Sequence, residues 1–117
     1  MAKFVGAYES ADIDALVALL TDDVFMSMPP MPLEYRGRDI VARFLALVFA
    51  SAQQSELIPA RANGQPALGA YLATPTGSRP GTGLFVLTLA GDRIRALTCF
   101  EDTVLPWFGL PRSLASR

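Results

Sequence analysis

The chain contains no histidine. That absence removes Ser-His and Cys-His nucleophile pairs, imidazole bases and every histidine-containing zinc or iron site. Carboxylates, tyrosine, cysteine and arginine-positioned water are left for proton transfer. The single cysteine, Cys99, gives no disulfide framework and no cluster of thiolate ligands, so neither metal nor cofactor is expected, and the compartment reads as cytoplasmic. Ten basic residues against eleven acidic ones, a net charge of -1, leave no basic footprint for direct nucleic-acid binding. The longest apolar stretches, residues 40–52 and 84–90, fall short of the ~20 residues a bilayer requires, and Arg43 interrupts the first, so no membrane association is expected. Met1-Ala2-Lys3-Phe4 leads into an amphipathic segment and not into a signal peptide. What the chain has in quantity is apolar surface: 51% hydrophobic residues and a mean hydropathy of +0.33 in 117 residues. One domain, 1–117, holds such a core without staples. The apolar surplus suits a pocket, a subunit interface or an alanine-rich core.

The hydrophobic period changes halfway along the chain. Phe4, Val5 and Tyr8 share a helix face, and Asp12 is placed to cap a second helix carrying Ile13, Leu16, Val17 and Leu20, ended by Thr21-Asp22-Asp23. A short strand over 24–28 stops at Pro29-Pro30 and Pro32. A long helix begins near Asp39 and presents Ile40, Val41, Phe44, Leu45, Leu47 and Val48, with Arg43 at its margin. From Leu57 the pattern is that of strands. Residues 57–62 run into Asn63-Gly64, a type I′ turn signal weakened by Pro66; 68–73 continue as a strand; 75–81 read as a loop; 84–89 and 93–100 form a hairpin about Ala90-Gly91-Asp92. The tail, 104–110, carries the lone Trp107 beside Phe108 and is expected to lie over an open end of the sheet. Helices first and antiparallel strands after them predict an α+β fold.

Residues 3–24, with Phe4, Tyr8, Asp12-Ile13-Asp14-Ala15-Leu16 and Asp22-Asp23-Val24, resemble the opening of the nuclear transport factor 2 superfamily, which includes ketosteroid isomerases and SnoaL-like polyketide cyclases. Met28-Pro29-Pro30-Met31-Pro32, Tyr35-Arg36-Gly37-Arg38-Asp39, Arg61-Ala62-Asn63-Gly64, Gly69-Ala70-Tyr71-Leu72 and Phe108-Gly109-Leu110-Pro111 are similar to the SnoaL-like domain at the C-terminus of certain extracytoplasmic-function sigma factors. The resemblance implies a cone-shaped, curved antiparallel sheet with the N-terminal helices packed on its concave face around an apolar pocket. It also implies pairing of two subunits through the outer sheet face, and apolar residues on both faces of 84–89 make a homodimer the expected state.

The isomerase members place a tyrosine, a carboxylate base and a protonated acid where this chain has Phe4, Met28 and Phe85. The epoxide hydrolase members place carboxylates and an arginine near Ala67 and Gly69 and near Thr98 and Cys99, where none stands here. Glu101 and Asp102, the carboxylates nearest to a cyclase position, read as a solvated strand end, so no catalytic residue is assigned. Alternation puts Phe85, Leu87 and Leu89 on one face of their strand and Leu84, Val86 and Thr88 on the other. On the returning strand Ile94, Thr98 and Phe100 are expected inward, unless a bulge near Cys99 exchanges part of that set. Phe4, Tyr8, Met28, Tyr35, Arg61, Tyr71, Phe85, Thr98, Phe100 and Trp107 are the residues expected at a ligand. Tyr35, Tyr71, Thr98 and Trp107 would be its polar handles, and Arg61 would be either an anion contact or a surface charge. Cys99 reads as a small buried hydrophobe.

Two functions of different class fit. One is a non-catalytic regulatory or small-molecule-binding domain like that of the sigma factors. The other is a free-standing SnoaL-like cyclase, isomerase or hydrolase acting on a hydrophobic polyketide or terpenoid, which the chain's own Met1 would suit. A plain dimerisation module is a third reading.

Overall fold

A computed structural model describes residues 2–29, 31–51, 55–62, 64–72, 74 and 77–114. The chain order is α1 (Ala2–Glu9), α2 (Ile13–Val17), β1 (Leu20–Ser27), β2 (Glu34–Arg36), α3 (Arg38–Ser51), β3 (Ser55–Ala62), β4 (Gln65–Leu72), β5 (Arg79–Ala90), β6 (Arg93–Phe100), a 3-10 helix (Asp102–Phe108) and β7 (Ser113–Leu114). Helix α1 ends by two bonds, Asp12 N–H to Ala7 O at 2.9 Å and Ala11 N–H to Tyr8 O at 3.1 Å. Those bonds hold Ala11 at a left-handed φ of 56°, a position that usually carries glycine. Asp12 then caps α2 by accepting from Ala15 N–H at 3.1 Å, as its sequence position predicts.

The second helix is shorter than the periodicity suggests. Leu20, expected on its apolar face, opens β1 opposite Ile94, and Thr21-Asp22-Asp23 lie within the strand instead of closing the helix. Pairing of Leu20 with Ile94 and of Phe25 with Ala96 draws Leu20 into the sheet against its local preference, and Thr21-Asp22-Asp23 lie in the irregularity between those two pairs. Strand β2, unforeseen in the sequence, pairs with β1 through Phe25↔Arg36 and Met26↔Tyr35. Strand β5 begins at Arg79, inside the expected loop, because β7 pairs with its first residues. Pro59 is accommodated because β3 is an edge strand.

The main sheet runs β2-β1-β6-β5-β4-β3, open at both edges. Its pairs are antiparallel except β1 with β6, which is parallel. The chain leaves β1 through β2 and α3 and re-enters the sheet at β3 on the far edge, so the last long strand meets β1 in the same direction. Register shifts interrupt β1–β6, β4–β5 and β5–β6. Such irregularities bend strands and give the sheet its curve.

Both faces of the sheet are covered. Helices α1 to α3 pack on the concave side over Val24, Met26, Leu57, Leu68, Leu87, Ile94 and Leu97, with Phe4, Leu16, Val41 and Leu45 as their inward residues. On the convex side a smaller core gathers Ala67, Tyr71, Leu84 and Val86 under Leu105 and Leu110 of the C-terminal segment. The tail therefore lies across the convex face and not over an open end. Glu9 fastens α1 to the edge strand by accepting from Leu57 N–H at 2.8 Å.

Candidate functional site

The inward residues of the central strands change from sealed to partly open along their length. Val24, Met26, Leu87, Ile94 and Leu97 are at most 3% exposed, whereas Met28, Phe85 and Cys99, on the same inner face, are partly exposed. An inward side chain reached by solvent marks where the interior opens. Register gathers these residues: Phe85 stands directly opposite Cys99, and Ser27 beside Thr98 carries Met28 alongside Cys99.

Helix α1 supplies the next part of the wall, since Phe4 and Tyr8 are one turn apart on one face. Their rings stack at 5.9 Å between centroids, and Phe85 meets both edge-on, at 6.5 Å from Phe4 and 5.3 Å from Tyr8. Tyr35 of β2 stacks on Phe44 of α3 at 4.9 Å, and both pack at the same core. The result is an aromatic and sulfur-lined wall, whose quadrupoles and polarisable sulfur suit planar apolar ligands.

The polar atoms on this wall include the Tyr8 hydroxyl and the Cys99 thiol. Burial, and secondly the neighbouring Cys99, push Tyr8 up to about 12; burial pushes Cys99 up to about 12. Both groups stay protonated and neutral near pH 7. No carboxylate stands among Met28, Phe85 and Cys99 or the sealed inward residues beside them, and Asp22, two residues before Val24 on β1, is exposed and paired with Arg38. Among the described residues no cluster of three metal-ligating side chains exists, and no helix is long and apolar enough to cross a membrane.

Of the residues expected at a ligand, Phe4, Tyr8, Met28, Tyr35 and Phe85 come together here. Four others do not. Tyr71 is fully buried on the convex face with its hydroxyl donating to Pro111 O at 2.6 Å. Phe100 packs on the same outer core, and Thr98 alternates with Cys99 and faces outward opposite Val86. The cause is the bulge between Thr88 and Leu89, which sets Ala96 and then Ile94 against β5 and leaves Arg95 over. Leu97 and Cys99 thereby turn inward, and Thr98 and Phe100 outward. Trp107 is 86% exposed on the 3-10 helix. The side chain of Arg61 and the residue Asn63 lie outside the described residues. Phe44 and Cys99 join the wall although neither was placed at a ligand; the helical spacing of Phe44 was the available signal, while Cys99 had none without the bulge.

A hollow of about 920 Å³ lies between α1, α2 and the β5–β6 turn, lined by Phe4, Ala7, Leu87, Leu89 and Ile94 with Lys3, Asp12 and Arg93 around them. Phe4 thus borders both the aromatic wall and this hollow. A shallower one of about 550 Å³ sits at the start of α3, where Arg38 pairs with Asp22.

The SnoaL-like domain model matches residues 1–97 of the chain. The chain belongs to the SnoaL-like domain family. This SnoaL-like domain is 37% identical over 117 residues to the ECF RNA polymerase sigma factor SigG of Mycobacterium tuberculosis; the match covers 97% of the chain but only 31% of that protein's length. Among solved structures, a protein with a ketosteroid isomerase-like fold from Catenulispora acidiphila superposes with a TM-score of 0.63 at 16% identity, over 95% of this chain and 92% of that one. An LEH-like epoxide hydrolase of M. tuberculosis superposes with a TM-score of 0.64 at 21% identity, over 93% and 84%. These likenesses establish the fold of the SnoaL-like domain as the curved-sheet fold that the sequence resemblance implied.

Proposed function

We propose that this SnoaL-like domain is a non-catalytic, ligand-binding regulatory module, related to the part of a sigma factor that it matches. In that role it works in the cytoplasm and adjusts transcription initiation without touching DNA itself. Its ligand is a neutral apolar ring compound held against Phe4, Met28, Phe44 and Phe85, with the Tyr8 hydroxyl donating to a ketone or hydroxyl oxygen at the ligand's edge. The observation that carries this reading is the chemistry of the inner wall. At the positions where the resemblance to the isomerases implies a donor, a base and an acid, the wall has the apolar Phe4, Met28 and Phe85. Tyr8 and Cys99, held neutral by burial, supply no base near pH 7.

An enolate formed here would lack a proton acceptor, and the loss of one oxyanion donor alone costs roughly 2.7–4 kcal/mol. Glu101 and Asp102 do not repair this. Glu101 is exposed and accepts from Thr103 Oγ1 at 2.9 Å, and Asp102 is engaged by Arg112 at 3.4 Å.

The test is titration calorimetry against a panel of hydrophobic ring ketones and their hydrocarbon counterparts, with an enone isomerisation assay beside it. Binding without turnover is expected. Tyr8→Phe is expected to weaken ketone binding by roughly 3- to 10-fold, the worth of one hydrogen bond, and to leave the hydrocarbons unchanged. Turnover that disappears in Glu101→Gln would establish the enzyme reading in its place, and absence of binding by every ring compound would reject the ligand.

A further inference from the structure

Helix α1 lends the wall two of its rings, Phe4 and Tyr8, yet has little of its own to keep them in place. It is eight residues long, below the length at which a helix is stable unaided. Its position is set by what it packs on, chiefly α2 and the edge strand β3.

Glu9 closes this helix, and as a helix terminus it is a poor choice. A carboxylate in the last turn faces the negative end of the helix dipole, no basic residue stands in that turn, and Asp12 and Asp14 follow closely in the chain. A local preference broken in this way calls for a compensating contact elsewhere. Here the contact is 48 residues away: Glu9 Oε2 accepts from Leu57 N–H at 2.8 Å. Among the described residues no Lys or Arg pairs with Glu9. Because β3 is an edge strand, alternate N–H groups along it have no strand to pair with. Leu57 is buried, so without Glu9 its N–H would have neither water nor a partner.

The bond has a geometric consequence for the wall. Consecutive helix residues stand about 100° apart around the axis, so a hold at Glu9 fixes the roll of α1 and with it the direction of Tyr8, the residue just before. The Tyr8 ring lies against Phe4 at 5.9 Å and Phe85 at 5.3 Å between centroids. A hydrogen bond from its hydroxyl weakens steeply once the angle at the proton falls below roughly 120°, so a small roll of the helix is felt at the ligand.

We propose that Glu9 is a positioning residue of the ligand site: its bond to Leu57 N–H sets the roll of α1 and thereby aims the Tyr8 hydroxyl at the ligand's oxygen. Glu9 itself touches no ligand. The inference rests on the aromatic wall being a ligand site, while the aim of the Tyr8 ring is a property of the free chain as well. Glutamine at this position keeps the acceptor and the reach, aspartate keeps the charge on an arm one methylene shorter, and alanine removes both.

NMR titration of the full chain, Glu9→Ala, Glu9→Gln and Glu9→Asp with 1-tetralone and with tetralin tests this. The ratio of tetralone to tetralin affinity is expected to fall roughly 3- to 10-fold in Glu9→Ala, as in Tyr8→Phe, with tetralin affinity kept within about twofold. Glu9→Gln is expected to retain the ratio of the full chain. In Glu9→Ala/Tyr8→Phe no further fall is expected, since Glu9 acts through Tyr8. A merely structural role would instead weaken both compounds alike. Without any ligand, the Tyr8 ring protons, displaced by the Phe4 and Phe85 rings, are expected to shift in Glu9→Ala and Glu9→Asp and to stay in place in Glu9→Gln. A folded Glu9→Ala with the ratio of the full chain overturns the proposal, as does a Glu9→Gln no better than Glu9→Ala or an added fall in the double variant. If neither compound binds the full chain, the ligand reading fails, and Tyr8 resonances unmoved in Glu9→Ala overturn the positioning role separately. Glu9→Asp is read in the same way where Glu9→Ala does not fold.

Discussion

Alkaline solution is expected to destabilise this domain from its aromatic inner wall. The Cys99 thiol, with an ordinary value of 9.0, is pushed up to about 12 by burial, and the Tyr8 phenol rises from 10.0 to about 12, by burial first and by Cys99 second. Between those values the unfolded chain has released protons that the folded chain still holds. The unfolded state therefore binds fewer protons, and stability falls as pH rises, by up to about 1.4 kcal/mol per pH unit for each group. The contribution is fully present below pH 9. It is lost between 9 and 12 for Cys99 and between 10 and 12 for Tyr8. At pH 11 this amounts to about 3 kcal/mol from Cys99 and about 1 kcal/mol from Tyr8, set against a total of roughly 5–15 kcal/mol for a domain of this kind. Tyr71, also raised by burial, adds to the fall above pH 10. Urea unfolding followed by circular dichroism at stepped pH, with thiolate absorbance read in parallel, measures the effect. Cys99→Ala is expected to hold its stability up to about pH 10, where the native chain has already begun to lose it. A native chain equally stable at pH 8 and pH 11, or a Cys99→Ala profile parallel to the native one, would refute the reasoning.

Two further perturbations test the way α1 is held. Ala11→Gly removes the left-handed strain at φ 56° and is expected to raise stability by about 0.5–1 kcal/mol in chemical denaturation, the relieved αL penalty being partly offset by glycine's greater freedom in the unfolded chain. Glu9→Ala deletes a charge-assisted hydrogen bond and leaves the buried Leu57 N–H unpaired. A loss of about 2 kcal/mol is expected in urea unfolding, with roughly half of it recovered in Glu9→Gln, which keeps an acceptor. Equal loss in both Glu9 variants would show that packing, not the bond, fastens the helix.

The sequence by itself carried whatever depends on neighbours within one or two turns. The Asp12 cap, the Phe4–Tyr8 face, the change of period near Leu57 and the turn at Gly91 with φ 65° all appear where local chemistry puts them. Resemblance, for its part, brought Phe4, Met28 and Phe85 to one site before any coordinate did. The rest depended on contacts that local pattern does not encode. Leu20 has the spacing of a helix residue and becomes a strand residue because β6 offers it a pairing partner. One unpaired residue, Arg95, reverses the faces of everything after it in β6; since side chains alternate with a period of two, Cys99 enters the wall and Thr98 and Phe100 leave it. Tyr71 looks the same in sequence whether it faces a ligand or a strap. Only the return of residues 102–114 across the convex face, at a separation of 40 residues between Tyr71 and Pro111, decides that its hydroxyl is a fastening and not a ligand handle.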